Sequence, residues 1–240
     1  MNASRTPRWT ARSRALVFAL AASSIACLLA DFYKLCPMSF FTVFIFLPAL
    51  IALGVLAVFD RQRGDGHVWR AVWIGMLGGL LAAVAYDAFR LPFVFAKEWG
   101  IDSIVPPLKL FKVFPRFGAM ALGQPVEQAH YSAAARLTGW IYHFSNGATF
   151  GVMYLALIGG ARRRHWSGAV LFALALELGM LFTPYPGVFS ILVTTRFVLV
   201  TAAAHAIFGA ALGGSVQWLS PPVRLPFAER ASPFRETGVA

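Results

Sequence analysis

Four ionisable residues stand inside apolar runs, and their surroundings repeat. His143 opens His143-x-x-x-Gly147-x-x-x-Gly151, and His205 opens His205-x-x-x-Gly209-x-x-x-Gly213. The apolar run before each carries small residues at four-residue steps ending on an acid: Gly75, Gly79, Ala83 and Asp87, then Ala169, Ala173 and Glu177. Residues four apart share a helix face, so each unit reads as a small-small-acid helix followed by a His-Gly-Gly helix. In lipid, where no hydrophobic force drives helices together, such stripes let two backbones approach closely. The acid and the histidine then point into the seam. There His143 and His205 can serve as ligands or proton acceptors, with Asp87 and Glu177 as partners, for a proton, a metal ion or a small solute. A carboxylate at the bilayer centre costs about 2.5–3.5 kcal/mol, which makes such residues functional candidates. The plainer chemistry is polar glue between helices, worth about 0.6 kcal/mol.

Depth along the helices bears on which groups meet. At about 1.5 Å per residue, Asp87 lies roughly 26 Å from Arg70 and His143 roughly 28 Å from Arg162. Glu177 lies roughly 16 Å from Trp166 and His205 roughly 20 Å from Trp218. Two stacked acid–His pairs are expected rather than one flat four-ligand cluster.

The elements that must position these residues are membrane helices. Of 240 residues, 58% are hydrophobic and 13% charged, with mean hydropathy +0.66. Soluble domains carry about a quarter charged residues, so a soluble globular enzyme and a disordered chain are both excluded. Apolar runs near the span length of about 20 residues fall at Ala15 to Ala30, Phe40 to Phe59, Trp69 to Leu91, Gly139 to Gly159, Ser167 to Thr183 and Thr195 to Leu219. The expected fold is all-α, a polytopic six-span bundle with a duplicated two-helix unit. Residues 1–14 form a basic N-terminus and 15–60 the first two spans. Repeat 1 covers 61–160, including a long outer connection at 92–138 with Pro92 ending the third helix; repeat 2 covers 161–219, and 220–240 is a tail. No Ala-x-Ala cleavage site follows the first span, so it is expected to remain uncleaved.

Of the 21 basic residues, thirteen fall on the side of the termini: Arg5, Arg8, Arg12, Arg14, Arg61, Arg63, Arg70, Arg162 to Arg164, Arg224, Arg230 and Arg235. By the positive-inside rule both termini of an inner-membrane protein would then be cytoplasmic. Trp69, Trp166 and Trp218 mark inner ends of spans, and Trp99 and Trp140 outer ones.

Other groups suggest secondary roles. In "PPLKLFKVFPRF", Lys109, Lys112 and Arg116 alternate with apolar residues, as in a segment lying at the lipid interface. Pro125 is expected to open a helix holding Glu127-x-x-His130, a di-iron spacing present once, for which a solvated helix is the simpler account. Tyr86, Asn146, Thr149 and Tyr154 add hydrogen-bonding groups near the glycine seams, and His67 and His165 read as solvated. Cys27 and Cys36 are too few for a disulfide framework or a zinc site and are expected as free thiols.

"AHAIFGAALGG" is similar to the last helix of rhomboid proteases, but the Gly-x-Ser-Gly nucleophile they require is absent. The paired acid and His-x-x-x-Gly pattern from Gly75 to Gly213 resembles bacterial multi-pass inner-membrane proteins, a resemblance that implies no activity, catalytic residue or cofactor. Expected partners are the lipid bilayer and a membrane-protein partner or second copy, not nucleic acid. Three functions stay open: binding or translocation through the acid–His pairs, a structural or assembly subunit, and a haem- or metal-binding redox protein.

Overall fold

A computed structural model describes residues 9–159 and 165–220. Arg5, Arg8, Arg162 to Arg164, Arg224, Arg230, Arg235 and the tail beyond Ser220 lie outside the described residues. All regular structure among the described residues is helical. In chain order the helices are α1 (Ala11–Phe32), α2 (Met38–Phe41), α3 (Leu47–Arg63), α4 (His67–Val94), α5 (Val113–Ala121), α6 (Ala133–Ile158), α7 (Ser167–Leu181), α8 (Tyr185–Val188) and α9 (Thr195–Leu219). One π turn, Thr42–Phe46, joins α2 to α3, so Met38–Arg63 runs as one rod. Four helices are long and apolar enough to cross a membrane: Ala11–Phe32, Met38–Arg63, His67–Val94 and Thr195–Leu219. The chain is therefore a helical bundle of membrane-protein character. α7 is a shorter apolar helix.

Side chains define the ends. Thr10, Ser132 and Thr194 each accept a backbone N–H from the first turn of α1, α6 and α9, supplying the oxygen that an N-terminus lacks. Asp60 Oδ2 accepts from the backbone N–H of Val68 (2.8 Å) and Trp69 (3.1 Å), so α3 caps α4. At the far end of α6, Gly159 takes the left-handed conformation, and Arg14 donates to the carbonyls of Ala156 and Leu157. A cation on free helix carbonyls is favoured by both hydrogen bonding and the helix dipole.

Most boundaries differ from expectation by a few residues, and two of the differences have an evident cause. Pro92 lies inside α4, which continues to Val94; placed in the last turn, it removes a single hydrogen bond near a fraying end. α6 begins at Ala133 rather than Gly139, because Ser132 caps it there.

α4 is central, packing on α6, α9 and α3; α1 packs on α6 and α3, and α7 on α9. The order α1–α6–α4–α9–α7 forms a row whose two end helices flank a cleft. Glycines set the spacing within it. A Cβ at Gly75 would sit 2.7 Å from the Cα of Val152, and Gly79 and Gly151 lie directly against the carbonyls of Gly147 and Gly75. In the second pair a Cβ at Gly209 would sit 2.5 Å from the Cα of Val170, and one at Gly213 2.7 Å from the carbonyl oxygen of Trp166.

The connection after α4 departs from the interfacial reading at Arg116. After a 3-10 turn at Leu110–Lys112, α5 enters the bundle, where Gly118 and Gly139 let it press on α6. Val113, Phe114, Phe117 and Met120 join Phe32, Tyr142 and Phe189 in one core. Arg116, expected at the lipid surface, is 1% exposed; it donates to the carbonyl of Phe189 and pairs with Glu127. A buried guanidinium needs such partners. No helix starts at Pro125: residues 125–130 are irregular, and Glu127 pairs with Arg116.

Candidate functional site

Asp87 and Glu177 emerge from the small-residue faces of α4 and α7 about two turns beyond the tight contacts at Gly79 and at Ala169–Val170. Each meets the histidine of its neighbouring helix. His143 Nε2 lies 2.8 Å from Asp87 Oδ2, and His205 Nδ1 lies 3.2 Å from Glu177 Oε2. Both acids are buried, at 8% exposure each.

The two pairs differ in their further partners. Arg90, one turn beyond Asp87 and itself buried, donates to Asp87 Oδ1 at 3.1 Å and to the carbonyl of Leu110 at 2.7 Å. Its guanidinium packs over the rings of Tyr86, Phe111 and Phe114, a contact that favours a desolvated cation. Asp87 is thus held between a permanent cation and an imidazole. Glu177 has no Lys or Arg ion pair among the described residues. His205 Nδ1 also lies 2.9 Å from the carbonyl oxygen of Thr201. A carbonyl only accepts, so Nδ1 carries the proton and Nε2 is left without a protein partner among the described residues.

Tyr86 links the pairs. Its ring centroid is 6.1 Å from that of His143 and 5.0 Å from that of His205. Two separated levels were expected, but α6 ends at Ile158, about 6 Å short of the Arg162 used to place His143. Measured from the helix starts at Ala133 and Thr195, His143 and His205 both lie about 15 Å in. The histidines therefore stand equally far along their own helices, on either side of one Tyr86 ring.

They also share one cavity. Its volume is about 770 Å³, and its walls include Tyr86, Arg90, His143, Glu177, His205 and Asn146. α1 contributes Ile25, Leu28 and Leu29 on one side and α7 contributes Ala175 and Leu176 on the other. Asn146 Oδ1 is buried without a hydrogen-bond partner among the described residues. Tyr185, in the short α8, lines the loop end, where burial raises its phenol above the ordinary range. A cavity of this size, mainly apolar with a few convergent polar groups, has the character of a small-molecule site.

Among the described residues no three His, Cys, Asp or Glu side chains converge as a metal site. Cys27 is buried and Cys36 half-buried, both as free thiols. Lys109 and Lys112 are exposed and line the loop end of the cavity. Arg90 escaped the sequence reading, although Asp87-x-x-Arg90 has the spacing of a helical ion pair. Comparison with family models, curated proteins and solved structures finds no match.

Proposed function

We propose that this is a six-span inner-membrane protein with both termini cytoplasmic, built on a duplicated helix pair, that binds or moves a proton or small solute through its acid–His cavity. The observation that carries the reading is the meeting of His143, Glu177 and His205 around Tyr86 on one cavity wall. The Glu177–His205 pair is the working pair. Among the described residues no Lys or Arg forms an ion pair with it, and its imidazole Nε2 has no hydrogen-bond partner, which leaves that nitrogen for a proton or ligand. Asp87, His143 and Arg90 form the fixed counterpart. Support for duplication is the same order in both units: glycine seam, then acid, then histidine from the neighbouring helix. The histidines use different nitrogens, which fits copies that have diverged.

The test is reconstitution of wild-type, Glu177→Gln and His205→Gln proteins in vesicles containing a pH-sensitive dye. Wild type is expected to relax an imposed proton gradient, alone or with a co-solute, and each variant to lose this while staying folded and monodisperse. Undiminished movement in both variants overturns the reading.

The glycine seams favour a second reading, a structural or assembly subunit of a membrane complex. It expects His205→Ala to leave the assembled complex intact and Gly209→Leu to remove it. The haem or metal redox alternative has less support, since His143 and His205 each meet one carboxylate and, among the described residues, join no group of three His, Cys, Asp or Glu.

A further inference from the structure

The cavity is unevenly charged along its length. Its lining is mainly apolar and includes Leu28, Phe150, Leu176 and Phe208 together with the Glu177–His205 pair. At the loop end four cations line it, Arg90, Lys109, Lys112 and Arg116, and Glu177 is the single carboxylate on the whole wall. Arg90 and Arg116 have carboxylate partners in Asp87 and Glu127. Their Nε atoms are nevertheless buried with no hydrogen-bond partner among the described residues. Lys109 and Lys112 are exposed and form no ion pair among the described residues. The rim includes the exposed Ala175, Gly179 and Leu192, so an apolar chain can pass between α7 and the loop end without crossing a polar barrier.

We infer that the cavity takes an amphipathic anion with a single alkyl chain. The chain lies between α1 and α7, and the anionic head sits on Lys109 and Lys112 with the two arginines behind. This rests on the cavity being the functional site and names the class of its ligand. A cation is disfavoured by Lys109 and Lys112, which have no ion-pair partner among the described residues, whereas Arg90 and Arg116 are already paired with carboxylates. A small hydrophilic anion leaves the apolar walls unused. The volume of about 770 Å³ falls within the range of roughly 300–1,000 Å³ usual for small-molecule sites.

The experiment places the full chain in phosphatidylcholine nanodiscs and measures binding of four sixteen-carbon probes: palmitate, hexadecyl phosphate, hexadecanol and hexadecyltrimethylammonium. One or both anions are expected to bind about tenfold more tightly than the alcohol or the ammonium compound, as a charge-assisted contact requires. Comparing palmitate with the phosphate separates a carboxylate from a phosphate head. Lys109→Gln with Lys112→Gln is expected to weaken anion binding about fivefold, and added salt to weaken it further. Ala175→Trp, at the exposed rim, is expected to block all chain-bearing probes without touching the cations. Equal affinity for the alcohol, or no loss in the double lysine variant, overturns the inference. If no anion binds yet Glu177→Gln still stops proton movement, this inference falls and the acid–His reading stands. If anions bind as expected and Glu177→Gln changes no movement, the acid–His reading falls instead.

Discussion

Asp87 divides its oxygens between Arg90 and His143, while Glu177 faces a histidine with no arginine beside it. The difference changes what each carboxylate does. A buried ion pair broken on one side leaves an uncompensated charge, at a cost of about 3–5 kcal/mol. Arg90→Met is therefore expected to lower the unfolding temperature in detergent sharply. Asp87→Asn with Arg90→Met should recover part of the loss, because the orphaned charge is then gone. A single variant as stable as wild type would show that the pair holds nothing together. Glu177→Gln carries no such structural penalty from a stranded arginine. Its effect should appear in activity more than in stability, and thermal unfolding beside a transport assay separates the two.

Helix pairs are held by the absence of side chains. The α4–α6 and α7–α9 seams bring backbone against backbone at Gly79 and Gly209, where even a methyl group meets a carbonyl or a Cα. Overpacking of this kind costs about 1–3 kcal/mol. Gly79→Leu and Gly209→Leu are expected to reduce folded yield and unfolding temperature in detergent. Gly214→Ala, on the same helix as Gly209 but with nothing within 4 Å of the added atom, should be neutral or gain a little helix propensity. If Gly214→Ala proved as damaging as Gly209→Leu, close approach would not explain the glycines. The acid and histidine of each seam depend on this contact, since only helices so close can bring a short carboxylate to an imidazole.

At the scale of the whole molecule the helices form a row around a cleft, with α5 and the 183–194 segment closing its loop end. The proposed orientation puts Asp65 on the cytoplasmic face and Asp102 on the opposite one, and both are exposed. In a Cys27→Ser, Cys36→Ser background, Asp102→Cys should react with a membrane-impermeant maleimide in intact cells. Asp65→Cys should react only after permeabilisation. The reverse pattern would invert the topology and place the cationic end of the cavity in the cytoplasm.

Composition and spacing alone determined the helical class, the long apolar helix from Thr195 to Leu219, and the meeting of each acid with the histidine of the next long helix. Those follow from local rules: apolar length, four-residue periodicity and the intolerance of lipid for an unpaired charge. Only the tertiary structure decided that His143 and His205 share one cavity and flank one tyrosine ring. That outcome depends on where Gly159 ends α6 and on Tyr86 standing between two seams far apart in the chain. It also decided the fate of the outer connection. The sequence of α5 is as suitable for a lipid surface as for a core. Its burial was settled by Gly118 and Gly139 fitting each other and by Phe189 and Glu127 offering partners to Arg116. Such fits involve residues remote in sequence, and no local pattern encodes them.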